Sequence, residues 1–313
     1  MTPSRDWTTY IGSSLISIGT HSLHIHLSGQ RHNPKDPLVI ILTGAGDVAS
    51  SHVAVEPLVA AHSRILLYDR SGLGHSESAP YPATAVSAAQ DLHSLLQRIG
   101  PAAPLLLVAH SYGGIVAREY LHAYPEDVAG MVLSESATER VCDYFRVPDP
   151  DITAVMGELR WATVTGLRDQ SVLSREQWRQ RAIDISRGAD GAAQQETSSL
   201  VEVCRTLAAK SQFQRRAMGS RPLSVIRCNS ASEYERVYAT GVAMGNGTPE
   251  QQRAFRDLLD RWDGIDQALA EEQLLLSSRT HLVHIPDCGH NVHLVRPDVV
   301  AAEIRWVLGQ LGT

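Results

Sequence analysis

The sequence predicts an α/β fold: a mostly parallel sheet with helices on both faces and an inserted helical cap. Two observations carry this prediction. Short apolar strand patterns alternate with helical patterns in residues 1–137 and again from residue 221 onward. From residue 138 to 220 the strand patterns disappear and only helical patterns remain. We therefore predict a core made of residues 1–137 and 221–313, with residues 138–220 inserted as a cap, or lid.

The first part of the core contains most of the predicted strands. Strands are predicted at residues 22–27, 37–42, 64–68, 105–110 and 129–133. A helix is predicted between the strands at residues 64–68 and 105–110. Its apolar residues recur at three- and four-residue spacing, and they are Val86, Ala89, Leu92, Leu96 and Ile99.

Helical patterns dominate the predicted cap. Three helices are predicted there, at residues 151–167, 174–187 and 194–212. Strands return at residues 223–228 and 280–285, separated by a long amphipathic helical stretch that carries Phe255, Leu258, Leu259 and Trp262. A last helix is predicted at residues 299–308, after Pro297.

A serine follows directly on an apolar run in residues 105–114, Leu-Leu-Leu-Val-Ala-His-Ser-Tyr-Gly-Gly. The run predicts a buried strand, and a helix-compatible segment follows. Strand, tight turn, serine and helix is the layout of a nucleophile elbow. The strained turn requires small residues two positions before and after Ser111, and Ala109 and Gly113 meet that requirement. We therefore predict that Ser111 is a nucleophile, with the positive end of a helix behind it.

Three further motifs lie at predicted strand ends. They are Thr-Gly-Ala-Gly at residues 43–46, Asp-Arg-Ser-Gly-Leu-Gly-His-Ser at residues 69–76 and Asp-Cys-Gly-His at residues 287–290. Together with the serine elbow, and in this order, they resemble the α/β-hydrolase superfamily, and most of all its serine hydrolases and esterases. The chain departs from the superfamily pattern twice, since Thr43 replaces the usual histidine and Ala109 replaces the first glycine of the elbow.

The resemblance implies a catalytic triad in the order serine, acid, histidine. His290 is the predicted base, because it follows a glycine in a loop at the carboxyl end of a strand. For the acid we favour Glu135, which follows the strand after the elbow helix. Glu233, or another carboxylate downstream, is the alternative. The acid would hold the imidazole in one tautomer and stabilise its protonated form.

The same resemblance implies an oxyanion hole made of two backbone amides. These would be the amides of Ala45 and Tyr112, one in the loop after the third strand and one directly after the nucleophile. The glycines of this loop could instead cradle a phosphate. We disfavour that interpretation, because a third glycine in register is absent and Asp47 would repel the phosphate.

No metal site and no cofactor are predicted. Cys288, His290 and His293 are close in sequence, and His281 and His284 precede them, but their spacing matches no repeated metal-binding pattern. On a strand, His281 and His284 would point to opposite faces.

Aromatic and apolar residues of the predicted cap are candidates for the substrate pocket. The candidates are Tyr144, Phe145, Met156, Trp161 and Trp178, and Gly44 is added from the loop after the third strand. An apolar or aromatic substrate group is the expectation that follows.

Composition excludes several classes of partner. A net charge of −6 without long runs of one sign argues against nucleic acid or an anionic membrane as the main partner. The apolar stretches are too short to cross a bilayer, and the polar N-terminus does not read as a signal peptide. Four widely spaced cysteines indicate free thiols in a reducing compartment. We expect a cytoplasmic enzyme with a small-molecule substrate, as a monomer or homodimer.

The predicted function is a serine hydrolase that cleaves an ester, lactone or related carbonyl bond through an acyl-enzyme. Two alternatives remain open. The same triad could cleave a carbon–carbon bond, or the fold could serve as a small-molecule receptor. Epoxide hydrolases and haloalkane dehalogenases are disfavoured, because they use an aspartate where Ser111 stands.

Overall fold

An eight-stranded sheet is the centre of the computed structural model, which describes residues 6–31, 33, 35–100, 104–189 and 191–311. The strands are β1 (Gly12–Ser17), β2 (Ser22–Ser28), β3 (Leu38–Leu42), β4 (Ile65–Tyr68), β5 (Leu105–His110), β6 (Val128–Ser134), β7 (Leu223–Cys228) and β8 (Thr280–Ile285). Their order is β1-β2-β4-β3-β5-β6-β7-β8. The six strands from β3 to β8 are parallel, whereas β2 is antiparallel to both β1 and β4. The predicted α/β fold class is confirmed.

Helices cover both faces of this sheet. The α-helices of the described residues are α1 (Glu56–Ala60), α2 (Ala85–Ile99), α3 (Gly113–Ala123), α4 (Val141–Tyr144), α5 (Pro150–Met156), α6 (Trp161–Val164), α7 (Leu167–Gln170), α8 (Arg175–Gly188), α9 (Ala192–Ser198), α10 (Leu200–Ala208), α11 (Ala231–Ala243), α12 (Pro249–Gln273), α13 (Val292–Val295) and α14 (Pro297–Leu311). One apolar cluster joins α2 and α3 to one face, and a second joins α1 and α14 to the other. The central strands β3 and β5 are wholly buried, which explains why they read as continuous apolar runs.

Two details of the predicted core differ in the structure. Val86 is 39% exposed, so it does not belong to the buried face of α2, which runs through Ala85 and Ala89 instead. The edge strand β1 was not predicted at all. Its Gly-Ser-Ser-Leu-Ile-Ser sequence is mostly exposed and lacks a strong apolar alternation, and it is held as a strand by its pairing with β2.

Helices fill the chain between β6 and β7, and no strand lies there in the part that the structure describes. The predicted helix 174–187 matches α8. The predicted helix 151–167 is broken into short helices, because Gly157 and Gly166 adopt the positive φ angles of 52° and 70° that interrupt a helix. The predicted helix 194–212 is likewise divided, into α9 and α10.

The helices between β7 and β8 also differ from the predicted division at residue 220. We placed them in the core, but α11 and α12 pack against α5 of the inserted segment. They share an apolar cluster made of Val155, Val237, Phe255, Leu258, Leu259 and Trp262. The reappearance of a strand at β7 therefore does not mark the end of this helical layer, because α11 and α12 bury their apolar faces against α5.

No helix of the described ranges has both the length and the apolar composition that a bilayer crossing requires. All four cysteines are free in the structure. Two of them, Cys142 and Cys204, lie with their sulfur atoms 3.9 Å apart.

Candidate active site

Ser111 lies in the turn between β5 and α3, with a positive φ of 53°. Neighbouring residues pack unusually closely against this turn. A Cβ atom at Gly113 would lie 2.1 Å from the carbonyl oxygen of Leu42, and one at Gly114 would lie 2.6 Å from Cβ of Ser136. Small residues are therefore required after the serine. Ala109 is fully buried at the end of β5, where its methyl group is accommodated.

His290 and Glu135 meet at the carboxyl ends of neighbouring strands. Glu135 directly follows β6, and its Oε2 lies 3.3 Å from Nδ1 of His290. Its other oxygen, Oε1, accepts a hydrogen bond from the backbone amide of Cys228 at the end of β7. Glu135 also has a positive φ of 48°. The two carboxylate oxygens thus have separate tasks, one anchored to the sheet and one facing the imidazole ring.

Glu233, the alternative acid, contacts a different part of the same histidine. Its Oε2 accepts a hydrogen bond of 2.8 Å from the backbone amide of His290. Among the described residues, the imidazole ring of His290 pairs with Glu135, whereas the backbone amide of His290 pairs with Glu233. A residue that orients a catalytic imidazole must reach the ring, and of these two carboxylates it is Glu135 that does so.

Negative charges set the protonation of His290. Burial alone would lower the pKa of His290, but the hydrogen bond with Glu135 and the charges of Glu135, Glu233 and Asp266 outweigh it. The pKa of His290 is therefore raised above its ordinary value. Such a histidine accepts a proton readily.

Ala45 and Tyr112, whose backbone amides were predicted to form an oxyanion hole, border the same cavity as Ser111. Within the described residues, neither the amide of Ala45 nor that of Tyr112 donates to a carbonyl of the protein. Both are therefore available to an oxygen atom in the cavity.

Arg70 stabilises the loop that carries Ala45, a role that its place in the sequence did not indicate. Its guanidinium donates to the carbonyl oxygens of Thr43, at 2.8 Å, and Gly44, at 2.6 Å. The same guanidinium forms a buried ion pair with Glu196 of α9, and Glu196 also accepts a hydrogen bond from the amide of Gly46. Arg70 belongs to the motif at residues 69–76, so the motif positions the neighbouring loop through this arginine.

The cavity has a volume of about 620 Å³. Strand ends line it, together with helices from the segment between β6 and β7 and from the segment between β7 and β8. Ser111, Glu135 and His290 lie in its wall. The other side is largely aromatic, with Phe145, Trp161, Tyr234 and Trp262. A cavity of this size fits a small molecule.

Four of the predicted pocket residues lie elsewhere. Trp161 and Phe145 line the cavity, but Tyr144, Met156, Trp178 and Gly44 do not. Met156 packs into the apolar cluster around Val155 and Phe255. Trp178 packs beside Leu167, Leu173 and Leu294 and is contacted by the guanidinium groups of Arg168 and Arg181.

The remaining two residues have other surroundings. Gly44 faces the elbow, where an added Cβ would lie 3.3 Å from Cβ of Ser111. Tyr144 is 37% exposed and pairs with Arg140. Sequence spacing identifies apolar residues of a helix, but it does not distinguish those that face a cavity from those that face another helix.

Three buried histidines, His52, His110 and His293, form a group beside the elbow. His52 and His293 stack with ring centroids 4.2 Å apart, and His110 lies edge-on to both. Burial lowers the pKa of His52 to about 4, and it places the pKa values of His110 and His293 well below their ordinary range. These three imidazoles are therefore neutral at neutral pH.

Asp47, His52 and His293 are the residues that could hold a metal ion in the described part of the chain, since their ligand atoms lie within 4.8 Å of one another. Of the residues that we considered for a metal, only His293 belongs to this group. The rings of His52 and His293 are inclined by only 8°, so their nitrogen lone pairs do not converge on one point. Arg181 also lies 3.6 Å from the carboxylate of Asp47 and supplies a positive charge there.

Comparison with known proteins identifies relatives over most of the chain. The sequence model of the alpha/beta hydrolase family matches residues 39–303. A protein of Hormonema carpetanum named "Probable transporter efuK" is 32% identical over 318 residues, a match that covers 99% of this chain and 45% of that protein. The chain thus spans about half the length of this relative.

Two further matches extend over nearly the whole of both partners. The "AB hydrolase superfamily protein" of Gibberella zeae is 28% identical over 288 residues, covering 89% of this chain and 88% of that protein. Among solved structures, Cfl2 from Burkholderia cenocepacia superposes with a TM-score of 0.66 at 17% identity, covering 95% of each chain. At this identity the structural likeness shows a shared fold.

Proposed function

Because the chain belongs to the alpha/beta hydrolase family, we propose that it is a serine hydrolase of small, partly apolar esters, lactones or related carbonyl compounds. One observation carries the proposal. A serine in a strained strand–helix turn lines the same cavity as a histidine whose Nδ1 faces a buried carboxylate. A serine hydroxyl becomes a useful nucleophile when a base of this kind takes its proton.

The proposed reaction begins with attack of Ser111 Oγ on the carbonyl carbon of the substrate. His290 takes the hydroxyl proton, and Glu135 stabilises the imidazolium that results. The carbonyl oxygen gains the electron pair of the broken π bond, and the amides of Ala45 and Tyr112 donate to it. When the intermediate collapses, His290 returns the proton to the leaving group and an acyl-enzyme remains. Water then attacks the acyl group by the same steps and releases the acid and free Ser111.

The aromatic wall of the cavity supports an apolar substrate group. Phe145 comes from the segment between β6 and β7, and Tyr234 and Trp262 come from the segment between β7 and β8. We propose that these helices together form the cap over the site. An aromatic surface of this kind binds apolar groups by removing their surface from water.

Labelling with a fluorophosphonate tests the proposal. This reagent phosphonylates an activated serine, so intact-mass measurement should show one adduct on the wild-type protein. The Ser111→Ala variant, compared at equal fold and concentration, should show none. An unlabelled wild-type protein, or an adduct that persists in the variant, would contradict the assignment of Ser111.

A further inference from the structure

The charged residues of the cavity are, with one exception, already paired. Besides His290, six acidic or basic side chains line it: Glu135, Arg146, Asp149, Glu196, Arg227 and Asp266. In the described residues, five of these lie within ion-pair distance of an acidic or basic partner: Glu135 near His290, Arg146 near Asp149, Glu196 near Arg70 and Arg227 near Asp263. Asp266 is the exception. Its carboxylate has no cationic partner in the part of the chain that the structure describes.

Asp266 stands in the middle of the cavity face of α12. The residues of this helix that line the cavity recur at three- and four-residue spacing, and they are Leu258, Trp262, Asp266, Leu269, Ala270 and Gln273. All but Asp266 and Gln273 are apolar. A carboxylate at such a position has lost much of its hydration without gaining an ion pair.

Neutral donors account for the contacts of this carboxylate. Ser230 donates to Oδ2 of Asp266 at 2.6 Å, and the indole of Trp262 in turn donates to the Ser230 hydroxyl at 2.9 Å. Burial raises the pKa of Asp266 to about 6. The group is therefore still ionised at neutral pH, and it retains capacity to accept hydrogen bonds from a molecule in the cavity.

We propose that Asp266 is a specificity-determining residue that accepts a hydrogen bond from a hydroxyl or ammonium group of the substrate. The inference rests on the proposed function, because it takes this cavity as the substrate site. Asp266 lines the same cavity as Ser111 and His290, and its negative charge acts on the imidazole of His290. The preferred substrate then combines an aromatic or apolar body, which packs against Trp161, Tyr234 and Trp262, with a donor group directed at Asp266.

A binding experiment with three matched ligands tests the proposal without requiring turnover. The ligands are phenylacetamide, para-hydroxyphenylacetamide and para-aminomethylphenylacetamide, whose rigid ring prevents self-cyclisation. Calorimetric titration of the wild-type protein should show about tenfold tighter binding of a donor-bearing ligand than of phenylacetamide. The ligand that gains affinity identifies the donor as hydroxyl or ammonium.

Variants at two acidic positions of α12 make the test specific. Asp266→Leu should abolish the preference, and Asp266→Asn should retain part of a hydroxyl preference but lose an ammonium preference. Asp260→Asn removes one charge from an exposed site on the same helix and should leave the preference unchanged. Equal affinity for the three ligands, absence of binding by both donor-bearing ligands, or a preference that survives Asp266→Leu would overturn the proposal. Fluorophosphonate labelling of Ser111 reports the proposed function separately.

Discussion

His290 and a group of three other histidines lie beside the serine elbow, and their pKa values are shifted in opposite directions. The rings of His110 and His290 are only 4.7 Å apart. The pKa of His290 is raised, whereas the pKa values of His110 and its neighbours His52 and His293 are lowered. All four imidazoles belong to one contiguous region, so proximity to Ser111 alone does not explain the difference.

Nearby carboxylates account for the difference in pKa between His290 and the other three histidines. Three of them, Glu135, Glu233 and Asp266, act on His290 and stabilise its protonated form. In the part of the chain that the structure describes, the carboxylate beside the other group is that of Asp47, whose charge is opposed by Arg181, and burial dominates there. The imidazole whose protonated form is stabilised is therefore the one that receives carboxylates from three places, the end of β6, α11 and α12.

The largest effect is expected when the carboxylate that faces the His290 ring is neutralised. Glu135→Gln should lower kcat/KM for an activated ester by about 10³-fold, because the amide neither stabilises the imidazolium nor holds the required tautomer. Glu233→Gln is the matched control, since Glu233 contacts only the backbone amide of His290. It should cost less than about tenfold.

Steady-state kinetics on variants with unchanged circular dichroism spectra would measure both effects. A loss of activity in Glu233→Gln that exceeds the loss in Glu135→Gln would reverse the assignment of the acid.

The second effect concerns the group whose pKa values are lowered. Unfolded His52 takes up a proton below about pH 6.5, whereas folded His52 does so only near pH 4. The unfolded state therefore binds more protons in this window, and stability falls as the pH decreases. His52 alone should account for about 3 kcal/mol of unfolding free energy between pH 7 and pH 4.

Urea unfolding at a series of pH values would test this. His52→Leu cannot be protonated at this site, so its unfolding free energy should decrease less on acidification than that of the wild-type protein. Parallel curves for the two proteins would show that His52 is not held neutral by the fold.

The smallest effect is a shift in the pH profile of activity. The reaction requires neutral His290, so kcat/KM should rise with pH and reach half of its maximum above pH 6.5. Removing the charge of Glu233 should lower that midpoint by about half a pH unit. A midpoint that does not move in Glu233→Gln would mean that Glu233 supports the loop without influencing the base.

Much of the fold was predictable because its signals are local. Buried parallel strands read as apolar runs, as in β3 and β5, and the serine elbow is encoded within ten consecutive residues. The positions of Glu135 and His290 followed from strand ends, and the structure brings these two side chains together.

The rest depended on contacts between distant segments. Asp266 lies in the middle of an otherwise ordinary amphipathic helix, and nothing in its neighbours indicates that this face borders a cavity. The stacking of His52 with His293 joins residues separated by most of the chain. Trp178 and Met156 are residue types that often line pockets, but in this structure they pack into apolar clusters between helices.

The shared apolar cluster between α5 and the helices α11 and α12 has a consequence for redesign. The two segments leave the sheet after different strands, yet each completes the hydrophobic surface of the other. Exchanging one of them with a relative would leave Val155 or Trp262 facing an unmatched partner. Transplanting residues 135–220 and 229–279 together would instead keep this apolar cluster intact on another sheet. For recombination between relatives, these two stretches therefore form one module.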